Sequence, residues 1–215
     1  MAILEICVEG YDGAKAGAEG GADRVELCDR LDLGGTTPPI ADLRETLKLD
    51  LPAGVAVMIR PRGGNFIYTP SEVEQMCAQA AAIADLVDEL ALDAHRVQLV
   101  TGAQLQSGDL DCETLRQIQQ AGRGLAMVCH RAFDETRDLF HSLKELEHLG
   151  FTRVLTAGGP TARAQTQVQQ QLVDAASTIE ILVCGGVRPH NLAAVMAASG
   201  ANQVHMRAPY RDGTP

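Results

Sequence analysis

Cations, carboxylates, a histidine and thiols recur in this chain at the ends of short apolar runs. The richest stretch is Met58-Ile-Arg-Pro-Arg-Gly-Gly-Asn65. It follows Val55-Ala-Val-Met-Ile59, which reads as a buried strand, and sets Arg60 and Arg62 one residue apart. Pro61 fixes one φ angle and removes a donor, while Gly63 and Gly64 let the backbone bend and expose N–H groups. A forked cation on such a base suits a carboxylate or phosphate held bidentately. A second stretch, Cys129-His130-Arg131-Ala-Phe-Asp134, adds an imidazole, a guanidinium and a carboxylate. Glu5 and Glu26 sit within two earlier apolar runs, with Cys7 and Cys28 two residues beyond them. Gly185-Gly186 follows a later run, where a phosphate cradle would lie, although any tight turn uses two glycines.

These groups act together only if the fold gathers them. Strands are expected at Ile3 to Val8, Arg24 to Cys28, Val55 to Ile59, Arg96 to Val100, Leu125 to Cys129, Arg153 to Thr156, Ile179 to Val183 and Gln203 to Met206. Amphipathic stretches between them read as helices, among them Tyr11 to Glu19, Ile40 to Leu49, Ser71 to Leu90, Arg137 to His148 and Pro189 to Ala198. Ser71 with Glu74 predicts a capping box at the start of the long helix. A βα rhythm without a linker implies a parallel sheet, and eight strands favour closure into an α/β fold of the (β/α)8 TIM-barrel type over an open doubly wound sheet. One domain over residues 1–215 is expected, with the last β/α unit incomplete. Arg207 to Pro215 is then a flexible tail, and the barrel is either left uncovered there or covered by a neighbouring subunit.

Alternation along each strand sorts the side chains. Leu4, Ile6 and Val8 suit the helix side, which turns Glu5 and Cys7 inward. By the same parity Arg24, Glu26 and Cys28 face the axis, as do Met58 and Arg60, and His130 and His205 near the mouth. Buried charges need partners, so Arg60 is expected to pair with one or both of Glu5 and Glu26, leaving Arg62 freer for a ligand. Glu5, Glu26, His130, Asp134, Arg60, Arg62 and Arg131 thus converge on one strand-end face. Active sites of this fold lie on that face.

The chain has a net charge of −10 and a pI near 5.0, which argues against nucleic acid as a partner. The start lacks a basic segment followed by an apolar one, and no apolar run approaches a membrane span. A cytoplasmic location is expected, and the six scattered cysteines, without C-x-x-C, read as free thiols in a reducing compartment.

Leu4-Glu-Ile-Cys7, Gly21-Ala-Asp-Arg-Val-Glu-Leu-Cys28, Gly34-Gly-Thr-Thr-Pro38, Met58-Ile-Arg-Pro-Arg-Gly-Gly64 and His130-Arg-Ala-Phe-Asp134 resemble the CutC family of copper-homeostasis proteins. Arg153-Val-Leu-Thr-Ala-Gly158 and Gly185-Gly-Val fit the same pattern. The resemblance runs in order from the first strand to the last. It implies a cytoplasmic TIM barrel associated with copper tolerance and trafficking, and self-association as a homo-oligomer. The family usually continues past the last strand, where this sequence stops at Pro215.

Copper(I) favours soft thiolate and thioether ligands. Cys7 and Cys28 on neighbouring strands could bracket one Cu(I), with Met58 a weaker third ligand, or both could be small core residues. Cys77 and Cys112 on helices and the outward Cys129 are assigned no metal role. The alternative is an isomerase, aldolase or lyase acting on a small anionic metabolite. Arg60, Arg62 and Arg131, with Gly185 and Gly186, would then bind the anion, Glu5 or Glu26 would act as base, and His130 or Asp134 as acid. Cations beside a metal repel it, which argues against copper as the only role.

Overall fold

Every strand of the protein is parallel to its neighbours, and their spatial order is their chain order. The computed structural model describes residues 2–208. Strands β1 (Ile3–Glu9), β2 (Arg24–Cys28), β3 (Val55–Met58), β4 (Val97–Thr101), β5 (Ala126–Cys129), β6 (Arg153–Thr156), β7 (Glu180–Val183) and β8 (Gln203–Arg207) form a closed barrel. Helices α1 (Gly10–Glu19), α2 (Ile40–Thr46), α3 (Pro70–Glu89), α4 (Cys112–Ala121), α5 (Leu139–Leu149), α6 (Thr166–Ala175) and α7 (Leu192–Ser199) alternate with them. This is the (β/α)8 barrel expected from the βα rhythm.

Closure depends on β1 meeting β8. Glu5 is in register with Arg24 on one side and His205 on the other, and Cys7 with Glu26 and Arg207. Of the expected tail, Arg207 belongs to β8 and the Ala208 amide donates to the Cys7 carbonyl at 3.0 Å. The rest of the tail expectation, residues 209–215, lies outside the described residues.

Outward-facing Val25, Leu27, Val57, Leu99, Met127, Val154 and Val183 pack with the helices into one continuous apolar layer. Inside the barrel the filling is mixed. Arg24 donates to Glu5 Oε2 at 2.5 Å and to Gln203 Oε1 at 2.7 Å, and Arg153 donates to Gln98 Oε1 at 3.1 Å. Beyond this polar layer lie Cys7, Cys28, Leu31, Ala56, Met58, Val100 and Val128. The polar residues are affordable because they satisfy one another.

The cap of α3 differs from expectation. Thr69 is the N-cap, and Glu72 reaches back to the Thr69 amide at 2.8 Å. Pro70 has no N–H to satisfy and fits the first helical turn, so the cap must precede it. Ser71 and Glu74 therefore fall inside the helix.

Candidate functional site

Local sequence explains how β1, β2 and β8 place their polar side chains. Alternation with helix-facing apolar residues forces Glu5, Arg24, Glu26 and His205 inward, where each must find a partner. Glu5 does so on both sides: Arg24 Nε lies at 2.5 Å and His205 Nδ1 at 2.7 Å. Burial pushes the Glu5 carboxyl up, but the hydrogen bond from His205 and the charges of Arg24, His205 and Arg153 outweigh it and hold it at about 2. His205 responds in reverse. Burial pulls its imidazole down, yet Cys7 and Glu5 as hydrogen-bond partners and the two glutamate charges lift it well above its ordinary value.

His205 Nε2 then points toward Glu26, 4.0 Å from Oε2. One ligand atom each from Cys7, Glu26 and His205 lie within 4.8 Å of one another. Cys28 Sγ is 3.9 Å from Cys7 Sγ and 3.8 Å from Glu26 Oε2. The hydrogen bond with Cys28, burial and the Glu26 charge raise the Cys7 thiol well above its ordinary value. Cys28 is pulled down by its bond to Cys7, but burial and the Glu26 and Glu5 charges leave it raised. Glu26 is also raised, by burial first, against the lowering charge of His205.

These groups meet at the floor of a strand-end cavity of about 440 Å³. Cys7, Glu26, Arg60, His130, Arg131, Gly185 and Gly186 all line it, so the structure gathers most of the residues singled out from sequence. Glu5, Cys28, Asp134 and Arg62 are not in its lining.

The arginines are arranged differently from expectation. Arg60 pairs with neither glutamate. Its Nη1 donates to the carbonyls of Gly34 and Gly35 at 3.1 and 3.2 Å, its Nη2 to Gly64 at 2.7 Å, and its guanidinium rests 4.9 Å from the Phe66 ring centroid. The glycine-rich β2–α2 loop folds over the end of β3 and presents these carbonyls, while Arg24 and His205 already neutralise Glu5. Arg62 is not left free either. It bonds Glu72 at 2.5 Å and the carbonyls of Asn65 and Ile67, fastening its loop to the first turn of α3.

Asp134 lies in the connection after β5, as expected, and is fully buried. It accepts from Thr156 Oγ1 at 2.5 Å, from the Ala157 and Gly159 amides at 2.9 and 3.0 Å, and from Arg131 Nε at 2.8 Å. This geometry anchors the β6–α6 loop and positions Arg131. Of the proposed base and acid residues, only Glu26 and His130 face the cavity. Residues passed over from sequence also line it. His205 was read as inward but given no role, and Cys184 and Arg188 follow β7 closely enough for parity and loop position to have found them.

Fold and cavity define a (β/α)8-barrel protein with a polar, thiol-bearing site at the carboxyl ends of its strands. Comparison with known proteins narrows this. The chain belongs to the CutC family, whose model matches residues 2–209. A CutC family protein of Parabacteroides distasonis is 36% identical over 208 residues, covering 96% of this chain and 82% of that protein. The copper homeostasis protein cutC homolog of Homo sapiens is 35% identical over 208 residues, covering 96% of this chain and 73% of its own length. The crystal structure of a CutC protein from Streptococcus agalactiae superposes with a TM-score of 0.84 at 35% identity, covering 95% and 98% of the two chains. Among the described residues, no helix is long and apolar enough to cross a membrane.

Proposed function

We propose that the protein serves copper homeostasis by holding Cu(I) where β1, β2 and β8 meet. Cys7 and Cys28 supply thiolates and His205 Nε2 an imidazole. The observation that carries this reading is the convergence of the Cys7, Glu26 and His205 ligand atoms within 4.8 Å, with the Cys28 sulfur 3.9 Å from that of Cys7. The donor set fits the ion, because two soft sulfurs and an imidazole suit Cu(I). The Glu26 oxygen is a harder ligand and is better suited to balancing charge. Glu5 fixes the far nitrogen of His205, the carboxylate–histidine arrangement that orients metal-binding imidazoles. The names of the human and mouse relatives, each a copper homeostasis protein cutC homolog, support the same assignment. Under this reading the protein works in the reducing cytoplasm, where its free cysteines stay reduced, and, as its family resemblance implies, as a homo-oligomer.

The test is a chelator-buffered Cu(I) titration under reducing conditions. The double variant Cys7→Ser, Cys28→Ser is expected to raise the dissociation constant by orders of magnitude while keeping the native circular dichroism. Unchanged binding in a folded double variant would overturn the site.

A further inference from the structure

A metal ion at the cavity floor leaves much of the cavity's chemistry unused. Arg60 is only 6% exposed, yet its hydrogen bonds go only to backbone carbonyls, and its Nε has no partner. Among the described residues no carboxylate forms an ion pair with it, and a buried cation without a counter-ion is costly. Arg188 lines the same cavity. Its guanidinium donates to the Val187 carbonyl at 2.7 Å and pairs with no carboxylate among the described residues.

His130 adds a directional donor. The Ala132 amide donates to its Nδ1 at 3.1 Å, so that nitrogen holds a lone pair and the ring proton sits on Nε2. Nε2 is buried and without a partner, in a ring that is 4% exposed and lines the cavity. Burial, with the charge of Arg60, lowers the imidazole to about 3, so it remains a neutral N–H donor at physiological pH. Phe66 packs on it at a 4.8 Å centroid distance and holds its orientation.

On the β7 side, the Gly185 and Gly186 amides donate to no other described residue. Both glycines have positive φ, 102° and 61°. Exposed amides of such a turn, at the end of the seventh strand, form an anion-binding concavity. A Cβ on Gly185 would lie 2.5 Å from the Ala164 amide nitrogen, so only glycine allows the β6–α6 loop to close against this turn.

We infer that the cavity binds a small phosphorylated carbonyl compound, its phosphate held by the Gly185 and Gly186 amides and Arg188, and its carbonyl oxygen by His130 Nε2–H beside Arg60. A volume of about 440 Å³ lies in the range of small-molecule sites. The buried donor is matched to a neutral oxygen and Arg188, which pairs with no carboxylate among the described residues, to an anion. Neither requires copper.

The inference is tested by calorimetric titration of the metal-free full chain with inorganic phosphate and with dihydroxyacetone phosphate. Wild type is expected to bind both, the second more tightly. Arg188→Ala should weaken both by about tenfold, the loss of one charge-assisted contact. His130→Phe, which keeps an aromatic ring, should weaken dihydroxyacetone phosphate alone. Because the titration uses metal-free protein, its outcome is independent of the copper site. Absence of binding at about 10 mM of either probe, or wild-type affinity in both Arg188→Ala and His130→Phe, would overturn the inference. Nitrogen NMR of the wild-type ring gives a readout independent of any variant. A proton on Nε2 throughout pH 5–8 is expected, and a proton on Nδ1 or titration near pH 6.5 would refute it.

Discussion

Replacing Arg24 with methionine keeps most of the side-chain volume and removes the charge that closes the barrel's inner polar layer. Glu5 in the folded protein is held at about 2 against an ordinary value of 4.5, a difference worth about 3 kcal/mol of stability. Because the folded value is the lower one, this contribution is complete above pH 4.5 and is lost as the pH falls toward 2. Arg24→Met leaves Glu5 hydrogen-bonded to His205, with Arg153 acting only through its charge, and takes the Nη2 donor from Gln203. Removing one partner of a buried pair costs about 3–5 kcal/mol. The retained imidazole places the expected loss at the lower end, near 3 kcal/mol, a large share of the roughly 5–15 kcal/mol a domain has. Urea unfolding at pH 7 measures the loss, and repeating it from pH 6 to pH 3 should show the acid limb starting at higher pH than in wild type. Adding Glu5→Gln should restore part of the loss, since the stranded charge is then gone. A cost below about 1 kcal/mol, or an unchanged acid limb, would refute the view that Arg24 and Glu5 are energetically coupled.

Gly185→Ala forces a β-carbon against the Ala164 backbone at a φ of 102°, where L residues are strained. A cost of about 2–3 kcal/mol is expected, read as a fall of roughly 5–10 °C in the thermal midpoint, and a shift under about 2 °C would contradict the close approach. Copper affinity should fall as the pH is lowered. The Cys7 and Cys28 thiols are both raised, so protons compete with the metal for sulfur. Chelator competition between pH 8 and pH 6 should show a loss of about tenfold or more per pH unit, and a flat profile would argue against thiolate ligation.

Strand content was legible because β1 and β2 alternate cleanly. Leu4, Ile6 and Val8 against Glu5 and Cys7, and Val25 and Leu27 against Arg24, Glu26 and Cys28, leave one orientation for each strand. The partners of those residues were less legible. Hydropathy puts Arg60 inside but says nothing of the backbone carbonyls of Gly34 and Gly35, which take it from the glutamates. Arg24 was visible as an inward residue, yet its claim on Glu5 follows from a register that places them side by side, and register is a property of the assembled sheet. His205 illustrates the same point. It belongs to a short strand near the far end of the sequence, and its importance emerges only when β8 lies beside β1. Asp134 reads as a loop acid because it follows the end of β5, whereas the loop after β6 folds its amides back onto it.

The Glu5–His205 hydrogen bond joins residues 200 positions apart. A growing polypeptide emerging from the ribosome carries Cys7 and Cys28 early, but the imidazole that completes the proposed copper site follows 200 residues after Glu5. Until then the two thiols lack their nitrogen partner, and Glu5 lacks one of its two hydrogen-bonded partners. The full ligand set therefore comes into being when β8 pairs with β1, and bound metal would report that the barrel had shut. A chain in which β8 has not yet paired would hold copper only loosely, so a reactive ion would not be kept on an open barrel.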